Sequence, residues 1–353
     1  MQDIAKYTIL YPVFLYEGIK MGLKIVYGPV PSKRLGRSLG IDVIRTDNKK
    51  NCNFDCVYCQ LGHTDFKVSY PENVEGLVTT QEAINALVKH KNRIIDVDYI
   101  TFSGTCEPTL NLEIGNMIKQ IKNITHVPVC VITNSSLMER KDVRQNLLNS
   151  DLVIATLVTG FEETFKAINR PYPGIKLENI INGLEKFSKQ KNQNKKTELA
   201  IEIMLIESKE SFPMNTTECE IDKLIEVTKR INPDRIELLT VNRPPAENHI
   251  IPVSDEKLKQ ISDKFTSVFG SEKVELTFAN SKKKVSKYTH KNLNDDIYSL
   301  ISRRPCTFEQ ICDSLGAEND KVKSSLEKLI KDNKLITIDS GNYIYYKTKS
   351  ATN

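Results

Sequence analysis

The chain has 353 residues, of which 39% are hydrophobic and 27% charged, with a formal net charge of +5. This composition is ordinary for a globular protein and leaves room for one large domain and one small one. Of the eight cysteines, three are clustered and five are scattered, which excludes a small secreted scaffold built on disulfides and predicts a reducing, cytoplasmic setting.

Residues 1–23 are predicted to be an N-terminal extension. Their apolar run at 9–16 is interrupted by Pro12 and followed at once by Glu17. The run is too short to span a bilayer and lacks a small-residue cleavage site. We therefore expect an edge segment there and no membrane partner.

From residue 24 to about 250, short β-branched runs alternate with amphipathic stretches, which is typical of repeated βα units. The alternation predicts an α/β fold, a partial (βα)6 version of the TIM-like barrel. The predicted strands are 39–45, 98–103, 128–133, 152–157, 199–206 and 235–241. The predicted helices are 80–92, 112–124, 140–149, 162–169, 176–189 and 218–230.

Unusual polar runs follow the carboxyl ends of these strands. A cysteine run follows the first strand, residues 103–108 follow the second, 133–136 the third and 242–245 the sixth. Barrels build their active sites at this face, so we expect the site there.

The cysteine run places Cys52, Cys56 and Cys59 within eight residues. Three thiolates at this spacing can hold three irons of a four-iron cluster and leave the fourth iron open to a small molecule. A structural zinc site, which uses four ligands, and a disulfide framework are the alternatives.

The spacing C-x3-C-x2-C, with an aromatic residue just before the last cysteine, resembles the signature of radical S-adenosylmethionine (SAM) enzymes. The resemblance implies that Cys52, Cys56 and Cys59 are catalytic ligands of a [4Fe-4S] cluster. It also implies SAM as a cofactor, reductive cleavage to a 5′-deoxyadenosyl radical, and an external electron donor of the ferredoxin or flavodoxin type. Tyr58 is implied to lie against the adenine, with a packing aromatic as the alternative.

Residues 103–108 resemble the glycine-rich strand-two motif of that superfamily, with Cys106 in place of its second glycine. We interpret Cys106 as a small buried thiol, with a fourth cluster ligand in a resting state as the alternative. The remaining positions implied to bind SAM are Gly104, Thr105, Glu107, Thr133, Asn134 and Glu202. Glu202 would serve the ribose if its side chain points inward, because Val158 stands where relatives often carry an acid.

Four arginines are predicted at or near the mouth of the barrel, where they would suit a phosphate or carboxylate on the substrate. The alternative is that they form surface ion pairs with nearby glutamates. These residues are Arg34, Arg37, Arg170 and Arg243.

Five runs together resemble a group of radical SAM Fe–S oxidoreductases that is classed by sequence with the wyosine-forming tRNA enzymes. The runs are 27–40, 52–62, 103–110, 168–171 and 240–247. The cysteine pattern differs from that of the wyosine enzymes, and the sequence shows no second cluster-binding cysteine set, so wyosine synthesis itself is not expected.

Residues 251–291 are predicted to be a barrel extension and basic linker, and 292–350 a winged helix domain. The predicted helices are 295–302, 307–315 and 319–332, and the strands 335–339 and 342–347 flank a turn at Gly341. Residues 281–353 hold 14 Lys or Arg against 9 Asp or Glu, which indicates either phosphate contact or a solvated linker.

The winged unit and its charge favour tRNA or another RNA as the substrate over a peptide, a protein or a small metabolite. A cluster-containing DNA-binding redox regulator is the competing class, although the SAM-like loops would have no use there. We also expect residues 281–353 to be dispensable for SAM cleavage itself.

Overall fold

The computed structural model describes residues 24–32, 34–45, 50–64, 67–194, 197–277, 290, 292–341 and 343–349. The predicted extension at 1–23 and the basic run at 282–287 lie outside the described residues. Within the described ranges, no helix has an apolar stretch long enough to cross a bilayer.

A mostly parallel sheet of eight strands forms the centre of the protein, in the order β1-β2-β3-β4-β5-β6-β8-β10. Only β1 is antiparallel to its neighbour. The strands of this sheet are β1 (Val26–Ser32), β2 (Gly36–Ile41), β3 (Tyr99–Phe102), β4 (Val129–Thr133), β5 (Leu152–Thr156), β6 (Glu198–Leu205), β8 (Arg235–Thr240) and β10 (Val274–Leu276). A separate antiparallel pair consists of β7 (Glu207–Ser208) and β9 (Ile250–Ile251).

The predicted α/β class is confirmed, and all six predicted strands are present. The sheet is larger than predicted because β1 and β10 extend its two edges. The sequence of β1 contains Gly28, Pro29 and Pro31, which are depleted in strands and obscured its pattern.

Helices cover the sheet and bury their apolar faces against it. They are α1 (Thr80–Val88), α2 (Lys91–Ile94), α3 (Ile114–Ile124), α4 (Lys141–Leu147), α5 (Glu162–Asn169), α6 (Leu177–Asn194), α7 (Glu218–Ile231) and α8 (Asp255–Phe269). Thr79 begins α1 with a reciprocal capping box to Glu82. The single helix predicted at 80–92 is two helices, because the chain turns at His90.

The β1–β2 turn closes the amino end of the sheet. Leu35 packs inside it against Cys130 and Leu152. Arg34 reaches further in, where its guanidinium pairs with Glu202 and, at 2.9 Å, with Glu237. Leu35 and the ion pairs of Arg34 with Glu202 and Glu237 therefore close the amino end of the barrel, and we call this group the plug.

Residues 292–349 form a C-terminal unit of three helices and a hairpin. Its elements are α9 (Leu293–Ile301), α10 (Phe308–Leu315), α11 (Asn319–Lys331), β11 (Leu335–Ser340) and β12 (Tyr343–Thr348). The apolar core of the unit includes Tyr27 and Val30 of β1, so the unit packs directly on the sheet edge.

Buried ion pairs fix this docking. Asp296 of α9 accepts from Lys24 at 2.9 Å, from Arg93 at 2.9 Å and from His290 at 2.8 Å. These ion pairs hold the C-terminal unit in one orientation on the sheet edge, because a buried charge that loses its partner is unfavourable.

Candidate active site

The cysteine loop lies at the carboxyl end of β2 and is fastened to the end of α5. The amide of Asp55 donates to the Asn169 carbonyl and that of Val57 to the Ile168 carbonyl, both at 3.0 Å. These main-chain bonds position the loop over the sheet independently of its sulfur atoms.

Amide donors point at two of the sulfur atoms. The Phe54 amide and the Asn134 side chain each lie 3.5 Å from Cys52 Sγ, and Asn169 Nδ2 lies 3.3 Å from Cys56 Sγ. Burial raises the pKa of Cys52 to about 12 and that of Cys56 to about 11. Thiolates at this site therefore need added positive charge, which cluster irons supply.

Lys50 is a site residue that the sequence analysis missed. Its Nζ donates to the Gly62 carbonyl at 3.0 Å. Burial alone would lower the pKa of Lys50, but the charges of the three cysteines, Cys59 foremost, hold it above the usual value. Lys50 lies in a loop, two residues before the first cysteine. Hydrophobic periodicity predicts side-chain direction only in helices and strands, so it could not indicate that Lys50 points toward the cysteines.

Across the described residues, no three His, Cys, Asp or Glu side chains are grouped to hold a single metal ion. The ligands of a four-iron cluster bind different irons and need not converge on one point. The three thiols, the donors aimed at them and the adjacent Lys50 therefore fit a cluster.

Two side chains of the loop after β3, those of Thr105 and Cys106, contact Asp42. Thr105 donates to Asp42 Oδ2 from its amide at 3.0 Å and its hydroxyl at 2.9 Å. Gly104 has φ +153°, and a Cβ there would lie 2.4 Å from the Asp42 carboxyl carbon. Glycine is therefore required at 104 by the close approach to Asp42.

The carboxylate of Glu107 joins this loop to the end of β4. It accepts from the Thr133 hydroxyl and from the Asn134 amide, both at 2.7 Å, and from Thr109. Burial raises the pKa of Glu107, and these donors oppose that rise. Three of the predicted SAM positions, Glu107, Thr133 and Asn134, thus form one hydrogen-bonded cluster beside Cys52.

Tyr58 and Glu202 are the two remaining positions that the sequence predicts to bind SAM. The Tyr58 hydroxyl accepts from Asn169 Nδ2 at 3.2 Å. Burial raises the pKa of Tyr58, and the charges of Cys56 and Glu202 raise it too. Glu202 points inward, accepts from the Thr156 hydroxyl at 3.0 Å and pairs with Arg34.

The structure separates the four predicted arginines. Arg34 and Arg37 precede or begin β2, so they lie at the amino end of the sheet, and their prediction at the mouth was wrong. Arg37 pairs with Asp96 at 2.7 Å. The error arose because the β1–β2 hairpin, which reverses the chain, was not recognised.

Arg170 and Arg243 do lie beside the cysteine loop. Arg170 pairs with Glu247 at 2.6 Å and approaches Asp55 at 3.7 Å. Arg243 donates to the side-chain oxygen of Gln60 at 3.2 Å. The two residues therefore differ, since Arg170 already has carboxylate partners.

Arg243 is a cation without a matching anion. Within the described part of the chain, neither Arg243 nor Arg304 forms an ion pair, and the buried Nε atom of each has no hydrogen-bond partner. Burial, and to a smaller degree the charge of Arg304, lowers the pKa of Arg243 to about 9. Two guanidinium groups in this state can receive an anion.

The C-terminal hairpin reaches the same face. The Tyr345 hydroxyl on β12 donates to the Asn242 carbonyl at 3.1 Å. Lys347, two residues further, would have its Nζ 3.5 Å from a Cβ placed on Gly62 of the cysteine loop. The hairpin therefore borders the site.

Comparison with known proteins agrees with this geometry. Residues 50–214 match the family described as the Radical SAM superfamily. A UPF0026 protein of Methanocaldococcus jannaschii is 33% identical over 332 residues, which cover 92% of this chain and 96% of that protein. A Brachyspira hyodysenteriae protein named GTPase Obg is 34% identical over 319 residues, or 90% of this chain. The chain spans only 44% of the length of that relative.

Among solved structures, Streptococcus suis SuiB bound to its precursor peptide SuiA has a TM-score of 0.49 at 14% identity, covering 68% of this chain and 48% of that one. Enzymes of the radical SAM superfamily use a [4Fe-4S] cluster and SAM and need an external electron donor. The chain belongs to the UPF0026 family, and its residues 50–214 form a radical SAM enzyme core.

Proposed function

We propose that the protein cleaves SAM reductively, with Cys52, Cys56 and Cys59 as the cluster ligands, and modifies an RNA, foremost a tRNA. When bound, the reduced cluster supplies one electron that breaks a carbon–sulfur bond of SAM and yields a 5′-deoxyadenosyl radical. The chain's own part is to hold both cofactors, to fix their orientation and to bind the substrate beside them.

Arg243 is the observation that carries the substrate class. It lies between Gln60 of the cysteine loop and the hairpin, close to Arg304, and both guanidinium groups lack a carboxylate among the described residues. Two such cations at the edge of a radical site favour a substrate with phosphates, because leaving partly buried guanidinium groups without an anion is costly.

We infer that the C-terminal unit, with predicted limits 292–350, is a winged helix that binds this substrate. Its third helix, α11, exposes Lys321, Lys328 and Lys331 at spacings of seven and three, which places them on one helical face. The charge surplus of the tail resides in the lysines at 282–291, which lie outside the described residues.

The position of the C-terminal unit would bring an RNA bound to it close to the cysteine loop. The hairpin contacts Asn242 and borders the cysteine loop at Gly62. A nucleotide held on the hairpin would therefore lie next to the face where we propose that SAM is cleaved. The tRNA-related grouping of the sequence points to the same substrate class.

The first test is anaerobic reconstitution followed by assay for 5′-deoxyadenosine with SAM and dithionite, and then with cellular RNA or protein fractions. RNA should raise deoxyadenosine formation, and its affinity should fall steeply with salt as counterions are released. An unchanged spectrum on adding SAM to protein with full iron content would contradict the SAM assignment.

A matched pair of variants tests the RNA surface. Replacing Lys321, Lys328 and Lys331 by Gln should weaken RNA binding and reduce its salt dependence. Replacing three exposed lysines of α6 and α7, Lys186, Lys189 and Lys229, removes the same charge elsewhere and should change little. Salt-independent stimulation by the protein fraction would favour a peptide substrate instead.

A further inference from the structure

Arg303 connects the C-terminal unit to the interior of the barrel. The residue follows α9 and is 4% exposed. Its Nε donates to Asp42 Oδ2 at 3.2 Å, and its Nη1 donates to the carbonyl and the hydroxyl of Ser299, both at 2.8 Å. Its Nη2 donates to the Lys24 carbonyl. The guanidinium is thus fixed from both sides of the docking interface.

Asp42 transmits this contact to the loop after β3. The same carboxylate accepts both donors of Thr105, and its Oδ1 lies 3.3 Å from Cys106 Sγ. Gly104 lies so close to Asp42 that even a methyl group would collide. The conformation of the loop therefore depends on where the Asp42 carboxylate sits.

Tyr27 provides a second connection between the same two regions. The guanidinium of Arg303 lies 4.4 Å from the centre of the Tyr27 ring, and the Tyr27 hydroxyl is 2.8 Å from the Ser103 hydroxyl. The other face of the ring covers Gly40, where a Cβ would lie 2.1 Å from the ring. Tyr27 therefore cannot shift without a change at Arg303 or Ser103.

We propose that Arg303 is a positioning residue for SAM binding, which it supports by holding Asp42 and Tyr27 against residues 103–106. The inference rests on the proposed role of this loop in binding SAM. It makes the C-terminal unit part of the cofactor site, so removal of residues 281–353 weakens SAM binding rather than leaving cleavage intact.

The charge of Arg303 is the essential property. Without it, Asp42 keeps a carboxylate that is 3% exposed, and no other cation among the described residues pairs with it. A buried carboxylate in that state takes up a proton or turns toward water, because an unpaired buried charge is unfavourable. Either response alters the acceptor that holds Thr105, and the loop loses its defined conformation.

The test measures SAM binding by the full-length, anaerobically reconstituted protein, using equilibrium dialysis and the spectrum of the reduced cluster. Arg303→Met should weaken SAM binding by about tenfold or more. Asp296→Asn is the matched control, because Asp296 also fixes the docking of the C-terminal unit but contacts Lys24, Arg93 and His290 rather than the loop. The control should change SAM affinity by less than about threefold.

A rescue experiment separates positioning from general loosening. Adding Asp42→Asn to Arg303→Met removes the unpaired charge, so the double variant should bind SAM at least about threefold more tightly than Arg303→Met alone. Hydrogen exchange of residues 103–107 should rise in Arg303→Met and not in Asp296→Asn. If Arg303→Met does not fold, Arg303→Gln serves in the same comparison, since it also removes the charge but keeps an amide donor.

Equal losses of affinity in Arg303→Met and Asp296→Asn, or no recovery in the double variant, would overturn the inference. So would an unchanged SAM affinity in Arg303→Met. A wild-type protein that carries the full iron content but does not bind SAM would instead contradict the proposed function, so the two failures are distinguishable.

Discussion

The two ends of the parallel sheet are built on opposite principles. At the amino end, Arg34 enters from the β1–β2 turn and pairs with Glu202 and Glu237, so charges inside the barrel satisfy each other. At the carboxyl end, the thiols of the cysteine loop have Lys50 beside them, and the guanidinium of Arg243 has no carboxylate partner among the described residues. At the amino end, the side chains of the protein neutralise one another. At the carboxyl end, cysteine and arginine side chains remain available to bind ligands.

The same distinction separates arginines that look alike in sequence. Arg170 and Arg243 each precede a proline after a core element. Arg170 pairs with Glu247, whereas the partners of Arg243 within the described ranges are amide oxygens only. A guanidinium that the protein has already neutralised is structural, and one left open at a cofactor face is available for binding.

The largest expected effect comes from removing one thiol of the cysteine loop. Cys56→Ala should abolish 5′-deoxyadenosine formation, because two thiolates cannot replace a three-point cluster site. Iron and sulfide content per chain should fall together with the activity. Cys219→Ala, at an exposed cysteine outside the loop, is the control and should keep both. A Cys56→Ala protein with full iron content and activity would remove the cysteine loop from the proposed mechanism.

Breaking the plug at the amino end should cost stability rather than chemistry. Arg34→Met leaves Glu202 and Glu237 buried without their shared cation, so we expect a loss of about 3–5 kcal/mol in the free energy of unfolding. Denaturant titration measures it. Arg140 also bridges two carboxylates, of Glu72 and Asp142, but at the surface, so Arg140→Met should cost no more than about 1 kcal/mol. Equal losses in the two variants would remove the contrast between plug and surface.

Arg243→Ala tests the open cation directly. It should weaken substrate affinity by about 1–3 kcal/mol, the scale of a charge-assisted hydrogen bond, while SAM affinity stays near the wild-type value. Arg170→Ala is the control and should affect substrate binding less, because Glu247 already neutralises that guanidinium. The measurement is substrate-stimulated deoxyadenosine formation against substrate concentration. A collapse of SAM affinity in Arg243→Ala would instead assign this arginine to the cofactor.

The sequence was sufficient for those parts of the site that depend on local patterns. The strands after β1 follow from β-branched runs, and the motif residues Glu107, Thr133 and Asn134 do lie together at the strand ends. Their prediction needed only that neighbouring parallel strands end at one face.

What could not be predicted depends on long-range packing. Asp42 and Arg303 are 261 positions apart, and no local pattern shows that a residue after α9 reaches the loop after β3. Arg34 was misplaced for a similar reason, since the direction of its side chain follows from a hairpin whose first strand contains glycine and proline. Such contacts become visible only when the fold brings distant segments together.

Acid should weaken the docking of the C-terminal unit, and we expect this to be the smallest of the effects. Burial alone would raise the pKa of Asp296, but the hydrogen bond from His290 and the charges of Arg93 and Lys24 hold it well below the ordinary aspartate value. A depressed carboxyl pKa stabilises the folded state above the unfolded pKa of about 3.9, and this contribution is lost as pH falls through the folded value.

The difference in unfolding free energy between wild type and Asp296→Asn should therefore be largest near pH 7 and shrink below about pH 4. Asp295→Asn, which removes the adjacent carboxylate outside this ion-pair group, is the control. A difference that stays constant from pH 7 to 3 would mean that the Asp296 charge does not fix the unit, and that its docking depends on the other contacts, those of Arg303 and the apolar contact with Tyr27 and Val30.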